Sequence, residues 1–156
     1  MKHTISVLVE NKFGVLARIA GLFSARGYNI SSLAVSETLD PTISYMTIVV
    51  DVKDENILDQ IKKQLNKLID VITVTDFTKK EHVERELVLA KVTCPAKDRP
   101  RLEKLLKKYM AKIVRHEGAT AIVEAVDEQA SIRQLLEGLN QFGLEELIRT
   151  GKIVMA

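Results

Sequence analysis

His3-Thr4-Ile5-Ser6-Val7-Leu8-Val9-Glu10-Asn11-Lys12-Phe13-Gly14-Val15-Leu16-Ala17-Arg18-Ile19-Ala20-Gly21-Leu22-Phe23 is the stretch whose reading decides the fold. Its first part alternates. Ile5, Val7 and Val9 face one way and Thr4, Ser6 and Leu8 the other, which predicts a strand with one buried face. Asn11 to Gly14 is a turn with glycine at its last position. Beyond it the apolar period changes from two to that of a helix, through Val15, Leu16, Ile19, Ala20, Leu22 and Phe23. The helix should stop near Gly27, with Arg26 in its last turn.

The pattern continues outward from this unit. Tyr28 to Leu39 is rich in small and β-compatible residues, and Asp40-Pro41 breaks it. Ile43 to Val52 is the strongest strand pattern in the chain, and the two segments read as a hairpin. Asp54-Glu55-Asn56 signals a helix start, and Ile57, Leu58, Ile61, Leu65 and Leu68 mark the helix. Val71 to Phe77 reads as a strand, so the order is β-α-β-β-α-β. The charged stretch from residue 79 to residue 86 has little to bury and reads as a linker. The same order then recurs. Leu87 to Thr93 is a strand, and Leu102, Leu105, Leu106 and Tyr109 mark a helix that starts near Asp98. Lys112 to His116 and Ala119 to Val126 form a hairpin about Glu117-Gly118. Ile132, Leu135, Leu136 and Leu139 lie on a helix, Leu144 to Arg149 is a strand, and Lys152 to Met155 adds a short one.

The expected fold class is therefore α+β: two tandem ferredoxin-like βαββαβ domains, each a four-stranded antiparallel sheet with helices on one face. The expected domains are residues 1–78 and 87–156, joined by the linker 79–86. Each such unit leaves a sheet face and edge strands uncovered and is small for an independent core. A homodimer is a physical expectation on that ground.

Composition narrows the function. The chain has 156 residues, 46% hydrophobic and 28% charged, with a formal net charge of +2. There is ample apolar material for packed cores. No apolar run approaches the roughly 20 residues that span a bilayer, and the N-terminus does not read as a signal peptide. The single cysteine, Cys94, forms no intrachain disulfide. These features give a cytoplasmic expectation, with no membrane partner. The basic stretch Lys104 to Lys112 is a polar helix face, not a nucleic-acid patch. An RNA-binding module of this topology needs aromatic residues on its central strands, and only Tyr45 is offered. No nucleic-acid partner is expected.

Catalytic signatures are missing. The chain has no G-x-G-x-x-G, P-loop or G-x-S-x-G motif. His3, His82 and His116 are scattered, without metal-ligand spacing. Cys94, before Pro95, has no activating partner. An acylphosphatase-like enzyme would need an arginine in the loop after the first strand, where Lys12 stands instead. No catalytic residue, metal or cofactor is therefore assigned to this chain.

The informative loop is Asn11 to Ile19. The N–H groups of Gly14, Val15 and Leu16 are among the first, unpaired donors of the helix, at the positive end of its dipole. A carboxylate suits such a place, and Gly14 lets a ligand approach the backbone closely. Asn11 would orient a polar group of the ligand. Asn29 opens the second strand at the opposite end of the helix from Gly14. A two-fold dimer, but not a single chain, would bring the two together.

The run Asn11-x-x-Gly14-Val15-Leu16-x-Arg18-Ile19-x-Gly21-Leu22-Phe23-x-x-Arg26-Gly27-Tyr28-Asn29-Ile30-x-Ser32-Leu33 closely resembles the ACT domain of acetolactate synthase small subunits. Chain length and the second ferredoxin-like unit resemble that family too. The resemblance makes residues 1–78 an amino-acid-sensing ACT domain and residues 87–156 the C-terminal domain. It implies a non-catalytic regulatory subunit of branched-chain amino acid biosynthesis. Its partners would be a second copy and the catalytic large subunit, which carries thiamine diphosphate, Mg²⁺ and FAD. The chain would activate that enzyme and confer allosteric feedback inhibition by valine or another branched-chain amino acid. The effector would bind at the dimer interface between Asn11, Gly14, Val15 and Leu16 of one subunit and Asn29 and Ile30 of the other. Val15, Leu16 and Ile30 would accept its branched side chain. The equivalent loop of the second unit, Cys94 to Arg101, has no glycine, and Pro100 lacks an N–H, so that unit is not expected to bind an amino acid in this manner. The alternative is a free-standing ACT sensor with a different partner.

Overall fold

The computed structural model describes residues 2–156, which divide into two compact units. The first unit comprises the described residues up to Val83 together with Lys152–Ala156, and the second is Glu84–Gly151.

In the first unit the order is β1 (Lys2–Glu10), α1 (Val15–Ser24), β2 (Ile30–Glu37), β3 (Ile43–Asp51), α2 (Glu55–Leu65) and β4 (Val71–Asp76). The strands form one antiparallel sheet in the order β2-β3-β1-β4. Ile5, Val7 and Val9 of β1 share a face with Met46, Ile48 and Val50 of β3. Both helices close over that face, so the core also holds Val15, Ile19, Phe23, Leu58, Ile61 and Leu65. The helix ends follow the local sequence. Gly27 adopts φ +70° and Tyr28 N–H reaches back to Phe23 O (3.0 Å), which stops α1. Asp54 accepts a hydrogen bond from Asn56 N–H (3.0 Å), which starts α2.

The second unit repeats the order, its first strand beginning at the boundary residue Val83: β5 (Val83–Thr93), α3 (Arg99–Lys108), β6 (Lys112–Glu117), β7 (Thr120–Asp127), α4 (Gln129–Leu139) and β8 (Leu144–Arg149). The sheet order is β6-β7-β5-β8. Val88, Ala90 and Val92 meet Leu102, Leu106, Ile132 and Leu135 in a separate core. The α+β class with tandem ferredoxin-like units is what the periodicity predicts.

Three local expectations are corrected. Residues 83–86, read as linker, belong to β5. Glu86 enters the sheet almost fully buried because Arg149 grips its carboxylate with two hydrogen bonds, of 3.0 and 2.6 Å. A charge run hides a strand when its partner lies more than sixty positions away. The C-terminal residues, grouped by sequence with domain 87–156, fall with the first unit as β9 (Ile153–Met155). Lys152 N–H donates to Ser32 Oγ (3.2 Å), and Tyr45 Oη donates to Val154 O (3.0 Å). Ser32 and Tyr45 lie on the sheet face away from the helices, opposite Val49 and Leu8 respectively. Finally, β1 is buried on both faces, since Thr4 and Ser6 are buried as well. Among the described residues no helix is long and apolar enough to cross a membrane.

Candidate functional site

The loop between β1 and α1 is held from two sides. Asn11 N–H donates to Thr42 O (2.7 Å), and its side-chain Nδ2 donates to Pro41 O (2.8 Å). The amide donors of Asn11 therefore brace the β2–β3 hairpin, leaving its carbonyl oxygen for other contacts. Lys12 pairs with Glu10 (2.6 Å), which raises the Lys12 pKa through that hydrogen bond and charge.

Gly14 caps α1 at φ +80°, a left-handed conformation that glycine adopts without strain. This turns the loop so that the first helical N–H groups point outward. Val15 N–H makes a long bond to Lys12 O (3.3 Å), while the N–H groups of Gly14 and Leu16 find no acceptor among the described residues. Two free donors thus remain where three were expected.

The side chains separate as helical phase requires. Val15 is only 3% exposed and belongs to the core, so its side chain has no access to a ligand; only its backbone borders the loop. Leu16, one position on, is 42% exposed. Phe13, at the loop tip, is fully exposed and did not figure among the sequence candidates.

The other missed residue is Arg18. Its Nε and Nη2 both reach Asp70 Oδ2, at 2.9 and 2.6 Å. This holds the guanidinium over the loop, and a Cβ built on Gly14 would lie 3.2 Å from Arg18 Nη1. Arg18 stands in the recognition run, but its orientation depends on a partner 52 positions away. Together the loop presents two N–H donors, a helix N-terminus and a cation, which suits a carboxylate.

Asn29 is exposed and Ile30 half-buried against the core edge. They follow the C-terminal end of α1, whose ten residues span about 15 Å. One subunit therefore does not join them to Gly14. The second unit's loop differs, as expected from its sequence. Residues Ala96–Asp98 form a 3-10 turn, Pro100 sits in the first turn of α3, and Cys94 is buried with its thiol pKa raised by burial. No group of three or more His, Cys, Asp or Glu residues is placed to hold a metal among the described residues.

Comparison with known proteins agrees with both halves. Residues 5–73 match the family described as "AHAS small subunit-like ACT domain", and residues 85–156 match "Small subunit of acetolactate synthase". The chain is 45% identical to the probable acetolactate synthase small subunit of Archaeoglobus fulgidus, over 99% of this chain and 96% of that one. It is 40% identical to the Bacillus subtilis acetolactate synthase small subunit, over 100% and 91%. The solved structure of the Thermotoga maritima small subunit superposes with a TM-score of 0.86 at 36% identity, covering 99% of this chain and 96% of that one. With both units matched and relatives this similar over nearly their full length, the chain belongs to the acetolactate synthase small-subunit family and is a regulatory subunit that partners a catalytic one.

Proposed function

We propose that this chain activates the catalytic subunit of acetolactate synthase and imposes feedback inhibition on it, with valine as effector at an interface between two copies. The observation that carries this reading is the Gly14 loop, with its free N–H groups of Gly14 and Leu16 under the fixed guanidinium of Arg18. These groups hold the effector carboxylate. Leu16 of the same copy and Ile30 of the second contact the branched side chain, and Asn11 and Asn29 position the ammonium group. The thiamine diphosphate, Mg²⁺ and FAD of the reaction belong, in this reading, to the catalytic chain.

Pairing is supported by the uncovered surfaces. Strand β2 lies at the edge of its sheet, with one row of backbone groups open to another strand. Val35 on it and Phe13 and Leu16 beside the loop are exposed apolar groups. A two-fold axis along this edge sets the start of one β2 beside the other copy's loop. The ligand then changes how two subunits pack, and that packing is the two-state element through which it acts on the enzyme.

Isothermal titration of the full chain with L-valine tests this, with D-valine and L-lysine as controls. Stereospecific saturable binding, lost in Asn29→Ala, supports the interface sensor. Binding unchanged in Asn29→Ala removes the second copy from the site. No binding of any branched-chain amino acid rejects the effector assignment while leaving family membership intact.

A further inference from the structure

His3 is a buried imidazole with no described hydrogen-bond partner. It is 2% exposed, and neither ring nitrogen has a donor or acceptor within reach. Burying an imidazole without a hydrogen-bond partner is costly. The ring, however, borders a cleft of about 420 Å³ whose other walls are Glu55, Leu58, Asp59, Lys62, Asp76, Thr78, Lys79 and Lys80.

The geometry follows from strand register. Phe77 N–H donates to Thr4 O (2.8 Å), continuing the β1–β4 pairing beyond Ile5 and Asp76. One step further sets Thr78 opposite His3. Helix α2 supplies the facing wall through Glu55, Asp59 and Lys62. The cleft lies at the start of β1, while the Gly14 loop follows its end, roughly 30 Å away along a nine-residue strand.

The charges in the cleft are unequally occupied. Asp59 and Asp76 both hold Lys62, at 2.8 and 3.2 Å, and Glu55 holds Lys79 at 2.5 Å. Asp76 also accepts from Thr78 N–H (2.9 Å). Burial raises the Asp76 pKa, but the bonds from Thr78 and Lys62 outweigh it and keep the carboxyl below its ordinary range. All three carboxylates are thus engaged. Lys80 faces the Phe77 ring at 5.4 Å and has no carboxylate partner among the described residues. The capacity left over is that of His3, of Thr78 Oγ1, which is likewise buried without a hydrogen-bond partner, and of Lys80, which favours a ligand that accepts hydrogen bonds and carries negative charge.

We propose that this cleft is a second small-ligand site on the first unit, taking an oxyanion, either phosphate or carboxylate, between the His3 imidazole and the Lys80 ammonium. The site is independent of the effector loop and does not require a second copy of the chain.

The test is NMR of the full-length chain, following the His3 ring and the Thr78 and Lys80 amides. Sodium phosphate and sodium acetate are titrated separately at constant ionic strength set with sodium chloride. Saturable shifts confined to these residues with phosphate assign a phosphate site, and with acetate a carboxylate site. Lys80→Gln alters an exposed side chain and should weaken the binding about tenfold, the loss of one charge-assisted hydrogen bond. His3→Phe keeps an aromatic ring in the core and should abolish it. The proposal is overturned if neither anion saturates, if the shifts follow ionic strength alone, or if Lys80→Gln binds as the parent does.

Discussion

Arg18 and Asp70 are joined by two hydrogen bonds to a single carboxylate oxygen, at 2.9 and 2.6 Å, and Asp70 is almost buried while Arg18 is half exposed. Asp70 O also accepts from Glu10 N–H (2.9 Å), so the residue before β4 anchors both the end of β1 and the first turn of α1. The pair fixes the cation that overlooks the loop; its own worth to stability is modest, about 1 kcal/mol, because Arg18 is well solvated.

Asp70→Asn separates these two effects. The amide is nearly isosteric and keeps the backbone bond, so stability should fall by about 1 kcal/mol. Arg18 loses its charged anchor, and valine affinity should fall by about tenfold, a charge-assisted contact held less well. Calorimetric titration and urea unfolding of the same variant read the two quantities. Unchanged affinity with lowered stability would make the pair structural only.

Gly14 carries two constraints, a left-handed φ of +80° and the nearness of Arg18. Any L-residue there costs roughly 1–2 kcal/mol of backbone strain. Gly14→Asp additionally sets a carboxylate where the effector's own would lie, within reach of Arg18. The holoenzyme carrying this variant should retain activation and lose feedback inhibition by valine. Steady-state assays with and without valine decide it, and equal loss of both would count against a dedicated sensing loop.

Most of the fold was legible because the apolar period switches cleanly between two and that of a helix. The alternation Ile5, Val7, Val9 and the spacing Val15, Ile19, Leu22 are local facts. What escaped is long-range. Asp70 lies 52 positions from Arg18, and Arg149 lies 63 from Glu86. No local pattern records such partners. The recognition run named Val15 and Leu16 together, yet adjacent helical residues point about 100° apart, so the inward phase of Val15 already argued against a ligand-facing side chain. The pairing of Asn29 with Gly14 rests on a second copy and stays a proposal.

The C-terminal strand offers a separate test. Val154 is only 4% exposed, and its carbonyl accepts from Tyr45 Oη. Deleting residues 152–156 exposes the sheet face and forfeits the burial of one valine, about 1.5–3 kcal/mol. Tyr45→Phe removes only the hydrogen bond and should cost about 1 kcal/mol. Thermal unfolding should rank parent, Tyr45→Phe and the truncation in that order. A truncated chain as stable as the parent would show the strand to be a loosely held end.

Acid stability follows from Asp76. Its folded pKa lies below the ordinary value, with burial opposing the shift and the bonds from Thr78 and Lys62 prevailing. The unfolded state therefore takes up this proton first, and the stability the group supplies is full above about pH 4 and lost as pH falls through the folded pKa. Asp76→Asn should flatten that acid limb and leave the slope above pH 5 unchanged. Urea unfolding at pH 3, 4, 5 and 7 measures it, and a parallel curve for the variant would assign the acid loss elsewhere.

Two helical glycines should respond oppositely to alanine, and the contrast bears on pairing. At Gly138 a Cβ would stand 2.9 Å from Leu105 Cδ1 across the contact of α3 and α4. That overpacking should cost about 1–2 kcal/mol after side-chain adjustment. At Gly21 nothing lies within 4 Å, and the position is exposed on α1. In a lone subunit Gly21→Ala should stabilise by about 0.5–1 kcal/mol through helix propensity. If α1 packs against its counterpart in the proposed dimer, the added methyl instead meets the other helix. Sedimentation and thermal unfolding of Gly21→Ala together separate the cases. Higher stability with unchanged mass leaves this face of α1 outside the proposed dimer interface, whereas dissociation of a dimeric parent to monomer places it inside.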